Sequence, residues 1–365
     1  MMKNLSARSL LLAIIPGLFL FTSCSHVNTV PQAQPPAAPA APAESSPALQ
    51  PQAQESGSDL RLFVEDMLVS KGHKREKVRK LVTDERWTPS TGIIVSNLFH
   101  AAPAPSAKNP KVMDVSPKYI PLGIDFIRDH QAAYDLAWER YKVSPEVITA
   151  ILIIETNLGK YPMKYNVFRV YASLTTALDV EYLEAVLKEK GEKYALTDEV
   201  ATSARKKGNW GLGELSALIT LSEKLGIDPV GIYGSFAGAL GPAQFIPTSF
   251  VRYGVDGNND GKVDPFDMDD CIASIANYLK LAGWKEDAKP EVKRRAIWTY
   301  NHHDVYVNTV LMLYEKLMAA SEDIEGLIEA TGAESVKAGE EAQGASAQEK
   351  GTPSPEQAPG GQAKQ

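Results

Sequence analysis

Apolar residues recur at intervals of three and four through most of the stretch from residue 58 to residue 330, which predicts a body built mainly of helices. Leu60, Leu62, Phe63, Val64, Met67 and Leu68 have helical spacing, and Gly72 can end that helix. Residues 76–82 predict a second, short helix. Residues 87–121 hold several prolines and read as loops with a short extended segment. A long amphipathic pattern from 121 to 141 follows. The next helix opens with Ser144 at the N-cap position and Pro145 at the first helical position, where a missing N–H costs nothing. It runs through Val147, Ile148, Ile151, Leu152, Ile153 and Ile154 to Glu155, and Gly159 can stop it. Further helical patterns lie at 179–190, 213–225, 270–282, 290–299 and 303–320. There is no internal repeat and no alternation of strand and helix, which argues against a doubly wound sheet.

Outside that body the pattern changes. Lys3 and Arg8 precede an apolar run from Leu10 to Phe21 that is short for a membrane span, so residues 1–23 read as an export signal. The sequence Leu20-Phe21-Thr22-Ser23-Cys24 has the form of a lipoprotein cleavage box, with Phe21 a less usual choice at its first key position. Cleavage there would leave Cys24 lipidated; the plainer reading is a secretory signal with an incidental cysteine. Residues 24–57 are rich in Pro, Ala and Gln and read as a tether, because such a segment cannot bury enough apolar surface to fold. Residues 331–365 lack apolar periodicity and read as a disordered tail. The chain has two cysteines, so if Cys24 carries lipid, Cys271 has no disulfide partner within it. The net charge of −7 leaves no nucleic-acid footprint, and any grip on an anionic polymer must come from a local cleft.

Three short stretches carry candidate chemistry. Glu155 shares a helical face with Ile148, Ile151 and Leu152, which predicts a carboxyl pointing inward. Such a group must be paired or must stay protonated, and a protonated carboxyl on a cleft wall is what acid cleavage of a glycosidic bond requires. A structural glutamate bonded to backbone or to an arginine satisfies the same pattern. The block GSFAGALGPAQFIPTSF, residues 234–250, is dense in small residues that allow close backbone approach, and Gln244 offers donors and acceptors to sugar hydroxyls and N-acetyl groups. Finally, Asp256, Asn258 and Asp260 occupy positions one, three and five of an EF-hand-like loop, with Gly261 at six and Lys262 offering its carbonyl at seven. That set predicts a structural calcium ion; a solvated acidic turn is the alternative. Adjacent His302 and His303 point in different directions and form no zinc set.

The segment ITAILIIETNLG (residues 148–159), the block at 234–250, the aspartate-rich loop and Tyr300-Asn301 together resemble the lytic murein transglycosylase B group, glycoside hydrolase family 103, from about Leu60 to Leu317. The resemblance implies a mainly α, lysozyme-like catalytic core at 58–330 with small accessory α and β subdomains and the EF-hand-like loop at 256–270. It places Glu155 at the family's catalytic glutamate and Ser235, Gln244, Tyr300, Asn301 and Tyr306 at its substrate-cleft positions. The twelfth position of the loop holds Asp267 in place of the usual Glu, whereas the resemblance implies a lengthened loop closed by Asp270, so both remain candidates for the closing carboxylate. The implied activity is a carbon–oxygen lyase reaction on peptidoglycan glycan strands that leaves 1,6-anhydromuramyl ends without a catalytic cofactor. A hydrolytic muramidase or a non-catalytic peptidoglycan-binding lipoprotein of the same fold are the alternatives. The expected location is the periplasm, held by lipid to the outer membrane, with cell-wall enzyme complexes as possible partners and no nucleic acid. The sequence departs from the family at 161–193, at Arg205-Lys206-Lys207, which stand in an apparent loop, and where a histidine within 301–304 replaces a common serine.

Overall fold

The computed structural model describes residues 52–99 and 112–324. The signal, Cys24, most of the tether and the tail lie outside these residues. The order is α1 (Gln52–Ser70), α2 (Arg75–Val82), α3 (Thr91–Phe99), α4 (Tyr119–Asp129), α5 (Gln131–Tyr141), α6 (Pro145–Thr156), β1 (Tyr165–Asn166), α7 (Val167–Thr176), α8 (Val180–Lys190), α9 (Asp198–Leu225), β2 (Tyr233–Gly234), α10 (Pro247–Tyr253), α11 (Met268–Leu281) and α12 (Pro290–Tyr300). A final helix, α13, spans the described residues 304–324. Among the described residues the sheet is one antiparallel pair, β1 with β2, in the register Tyr165↔Gly234 and Asn166↔Tyr233.

The centre is α6, which is buried on nearly every face from Glu146 to Ile153. A helix apolar all round has to be enclosed, and here α4, α11 and α13 help to enclose it. The first and last turns of α6 are held differently. Ser144 stands at the N-cap position with extended backbone, but its hydroxyl does not bond the first turn; instead its N–H donates to Glu286 Oε1 at 2.8 Å. At the far end Asn157, Leu158 and Gly159 are all left-handed, with φ of 53°, 57° and 78°. The helix therefore turns back at Asn157, earlier than the Gly159 stop read from sequence. A second, smaller apolar cluster joins α3, α8 and the start of α9 around Ile94, Val95, Leu183 and Val186.

Several sequence expectations change. α1 starts at Gln52, so the last part of the stretch read as tether, 52–57, belongs to a helix that Gln, Ala and Glu favour. Within the stretch read as loop, residues 91–99 are helical. Ile94 and Val95 are buried in one apolar cluster with Ala177 and Val186 from neighbouring helices, and that packing holds as a helix a stretch with β-branched residues at its centre. The pattern at 121–141 is two helices broken at His130, whose Nδ1 lies 2.9 Å from Asp269 Oδ1. The break lets α4 lie on α6 while α5 lies on α11. Arg205-Lys206-Lys207 are not in a loop: α9 begins at Asp198, where the Thr197 side chain accepts from Val200 N–H. The contact face of that first half is made of Ala204, Gly208 and Gly211, small residues that periodicity of large side chains does not reveal. Asn166 and Asp179 likewise cap α7 and α8 with their side chains.

The tightest helix pair is α7 with α9. A Cβ on Gly211 would stand 2.6 Å from Leu174 Cβ and 3.2 Å from the Tyr171 carbonyl oxygen, whereas one on Gly213 would meet nothing within 4 Å. Gly211→Ala should therefore destabilise the protein by about 1–3 kcal/mol through overpacking. Gly213→Ala should stabilise it by about 0.5–1 kcal/mol through helix propensity. Urea unfolding midpoints measure both; equal shifts of the same sign would contradict the packing described.

Candidate active site

Glu155 sits in the last turn of α6, half-buried, with Tyr306 from the first turn of α13 donating its hydroxyl to Oε1 at 2.7 Å. Burial pushes the carboxyl up from its ordinary range to about 7, and the Tyr306 bond pulls the other way. No neighbouring carboxylate contributes to that rise. The hydroxyls of Tyr300 and Tyr306 are both raised well above the usual phenol range, first by burial and then by the charge of Glu155, which places the three groups together.

The glycine-rich block is pinned by hydrogen bonds to α6 and α12. Thr156, next to Glu155, donates its hydroxyl to the Pro242 carbonyl at 2.8 Å and accepts from Gly159 N–H at 3.0 Å. Tyr300 donates its hydroxyl to the Ala243 carbonyl at 2.5 Å. Directly after these anchors Gln244 is left-handed at φ 54°; its Nε2 donates to the Gly241 carbonyl at 2.9 Å and lies 3.5 Å from Met163 Sδ. Gly241, at φ 58°, lets the chain pass so close to Pro265 that a Cβ would fall 1.7 Å from its carbonyl oxygen. Ser235 is buried at the head of the block, where its Oγ accepts from Ala239 N–H at 3.0 Å.

The structure thus joins Glu155 directly to Tyr306 and places Tyr300 near it, while Gln244 follows Ala243, whose carbonyl takes the Tyr300 hydroxyl. Tyr300 and Tyr306 are 9% and 2% exposed, so their rings are mainly structural and their hydroxyls are engaged with protein atoms. Tyr300 also packs against Phe245 and Tyr278, at ring separations of 5.4 and 5.0 Å. Asn301 follows α12 as its C-cap, half-buried, and its carbonyl accepts from His303 N–H at 2.8 Å. His302 meets Trp298 edge-on, with ring centroids 5.7 Å apart. Sequence reading missed Thr156 and Met163. Thr156 could have been found as the polar residue adjoining Glu155 on an apolar helix; Met163 lies in a loop with no local signal.

The aspartate-rich loop has a bonding pattern suited to a hard cation. Asp256 Oδ2 accepts from Gly261 N–H at 2.9 Å, Asn258 Oδ1 from Asp260 N–H at 2.9 Å, and Asp260 Oδ1 from Lys262 N–H at 2.8 Å. Asp256 Oδ1 is buried without a hydrogen-bond partner, an orphaned acceptor that a cation would satisfy. Asp270 accepts from Gly257 and Asp264 N–H groups, both at 2.7 Å, and so turns into the loop, while Asp267 is turned away to cap α11. Burial raises the Asp270 carboxyl, and the charges of Asp267 and Asp256 raise it further. Arg140 braces the loop from α5 through the Asp256 carbonyl and Asn259 Oδ1. Among the described residues no three His, Cys, Asp or Glu side chains converge. An ion would therefore also draw on the Asn258 amide and the Lys262 carbonyl.

With this geometry in hand, comparison with known proteins gives a consistent answer. The family model for the transglycosylase SLT domain matches residues 58–296. The membrane-bound lytic murein transglycosylase B of Escherichia coli K12 is 26% identical over 232 residues, which is 61% of this chain and 56% of that relative, so the match spans little more than half the relative's length. Among solved structures, the E. coli lytic transglycosylase Slt35 in complex with calcium superposes with a TM-score of 0.56 at 21% identity, covering 72% of this chain and 94% of that one. Pseudomonas aeruginosa SltB3 in complex with NAG-anhNAM-pentapeptide superposes at 0.53 and 18% identity, covering 72% and 79%. The mainly α, lysozyme-like fold expected from the sequence is the fold observed.

Because the folded-state carboxyl of Glu155 lies above its unfolded value, folding favours its protonated form; that stability is complete at low pH and is lost as pH rises through about 7. Tyr306→Phe removes the bond that opposes the rise, so the Glu155 midpoint should move further up. Isotope-edited infrared titration of the carboxyl measures this; a midpoint that stays or falls would show that the hydroxyl does not stabilise the anion.

Proposed function

The chain belongs to the transglycosylase SLT-domain family, and we propose that it cuts peptidoglycan glycan strands between N-acetylmuramic acid and N-acetylglucosamine, with Glu155 as the sole acid/base. The observation that carries this reading is a carboxyl raised to about 7 by apolar surroundings, with no second carboxylate acting on it. Hydrolytic glycosidases generally use two carboxyls, at about 5–5.5 Å or about 6.5–9.5 Å. The other carboxyls with raised pKa are committed elsewhere: Glu214 to the Thr248 N–H and hydroxyl, Asp270 to the aspartate-rich loop.

A single group suffices if the substrate supplies its own nucleophile. Protonated Glu155 gives its proton to the glycosidic oxygen as the bond from muramyl C1 breaks and the N-acetylglucosamine end departs as an alcohol. The neighbouring N-acetyl oxygen stabilises the positive charge at C1. The muramyl C6 hydroxyl then bonds to C1, and the Glu155 carboxylate takes the hydroxyl proton. The result is a 1,6-anhydro end, no water is consumed, and Glu155 is returned protonated. A pKa near the working pH serves both transfers, and an intramolecular hydroxyl starts at high effective concentration. Tyr306 holds the Glu155 carboxyl and favours its anion during the second transfer. Gln244, Ser235 and Asn301 would meet sugar hydroxyl and N-acetyl groups, beside Tyr300. SltB3 bound to an anhydromuramyl product supports the product assignment.

The same reading extends to location and ions. Lipid on Cys24, with the stretch from there to the start of α1 at Gln52 as tether, would hold the catalytic body at the periplasmic face of the outer membrane. No described helix is long and apolar enough to cross a membrane, and the E. coli relative is membrane-bound. Calcium would be held by Asp256, Asn258, Asp260, the Lys262 carbonyl and Asp270, in keeping with the calcium complex of Slt35.

Glu155→Gln should lower release of anhydromuropeptides from purified sacculi by at least about a thousandfold while leaving the circular-dichroism spectrum unchanged. Wild-type cleavage should fall as pH rises through about 7. Mass spectrometry reads the ends: products heavier by one water identify a muramidase, and binding without turnover identifies a non-catalytic protein. Calcium should raise the melting temperature in calorimetry, and Asp256→Ala should abolish that rise; equal melting with calcium and with chelator would remove the ion from the account.

A further inference from the structure

Beyond Gln244 the surface opens into a second concavity of about 460 Å3, lined by Met163, Ile227, Asp228, Ile232, Tyr233 and Phe266. Its size falls within the roughly 300–1,000 Å3 typical of small-ligand sites. Three of its large apolar side chains are unusually open to water: Ile227, Tyr233 and Phe266 are 38%, 51% and 39% exposed. Apolar side chains gathered around one hollow point to a binding surface rather than to scattered exposure.

The lining is tied to the glycine-rich block at three points. Met163 touches the Gln244 amide. Tyr233 pairs through β2 with Asn166 and immediately precedes Gly234 and Ser235. Phe266 follows Pro265, whose carbonyl is the group packed against Gly241. The walls of the hollow are therefore fixed by the same block that is bonded to Thr156, the neighbour of Glu155, and to Tyr300.

Charge narrows the occupant. The ionic side chain in the lining is Asp228, whose Oδ1 accepts from Val230 N–H and whose Oδ2 is bonded to Arg86. Arg86 is in turn shared with Asp84. No lining side chain is a cation, so the hollow does not suit the carboxylates of stem peptides. Rings of Tyr and Phe with a methyl-rich floor suit a neutral sugar that presents its C–H face and an acetamido methyl. We propose that this hollow is a distal subsite for an N-acetylglucosamine ring of the same glycan strand, with Tyr233 and Phe266 as its platform. This rests on the glycan-cleaving reading and adds a determinant of strand length to it.

The test uses the full chain carrying Glu155→Gln, so that strands bind without turnover. Calorimetric titration with amidase-stripped glycan strands is compared before and after Tyr233→Ala and Phe266→Ala, with melting temperatures as a check on folding. Each variant should bind strands roughly three- to tenfold more weakly. Tyr233→Trp should retain binding, and its emission should shift on adding a chitohexaose probe but not on adding free stem tetrapeptide. Unchanged affinity in both alanine variants overturns the subsite, as does a tryptophan that answers only to the peptide or a parent that binds no strands. Failure of the cleavage reading shows separately, as wild-type protein that binds strands yet releases no anhydro product.

Discussion

An ionisable group placed among aliphatic side chains is the constraint around which the described structure is organised. α6 is enclosed on almost every side, and its last turn carries Glu155 out to where the burial becomes partial. Keeping a carboxyl there costs stability whenever it ionises, so the surroundings must fix it without neutralising it. A single phenolic hydroxyl meets that need. An arginine in place of Tyr306 would lower the carboxyl far below the working range and would end its use as an acid.

Holding the carboxyl still requires that the helix end be held. Three successive left-handed residues are costly, since two of them are not glycine, and they persist only when surrounding contacts determine them. Those contacts are visible: Leu158 N–H bonds the Leu152 carbonyl at 3.0 Å, and Thr156 ties the turn to Pro242. Strain at the end of α6 is thus balanced by the glycine-rich block, which Thr156 ties to the turn through Pro242. The block in turn needs its small residues, because Pro265 leaves no room for a side chain at Gly241.

How much of this was legible in the sequence depends on where each signal lay. The apolar run of α6, Pro145 at its start and Glu155 at its end are local, and they were readable. The EF-hand-like spacing is equally local, and the bonds among Asp256, Asn258, Asp260 and their following N–H groups reproduce it. The failures were non-local. Residues 91–99 are helical because Ile94 and Val95 fit against α7 and α8, a contact with no trace in their own spacing. The break at His130 exists because α4 and α5 answer to different neighbours. α9 looked polar over its first half because its contact surface is glycine and alanine, which amphipathic analysis counts for little. Tyr306 was assigned to the cleft by family resemblance alone; only folding brings α13 against α6.

The aspartate-rich loop shows how a region remote from the chemistry can still shape it. Asp270 gathers the N–H groups of Gly257 and Asp264, and Asp264 in turn accepts from Phe266 N–H at 2.9 Å. Between Asp264 and Phe266 stands Pro265, the residue packed against Gly241. The path from the loop to the cleft is therefore one proline long. A cation seated among Asp256, Asn258, Asp260 and Asp270 would offset the negative charge of the three aspartates and firm the backing of the glycine-rich block. It would do so without approaching the scissile bond. Placement, not Lewis acidity, is then the work such an ion performs, which is why a lone oxygen-rich loop is compatible with cleavage by one carboxyl.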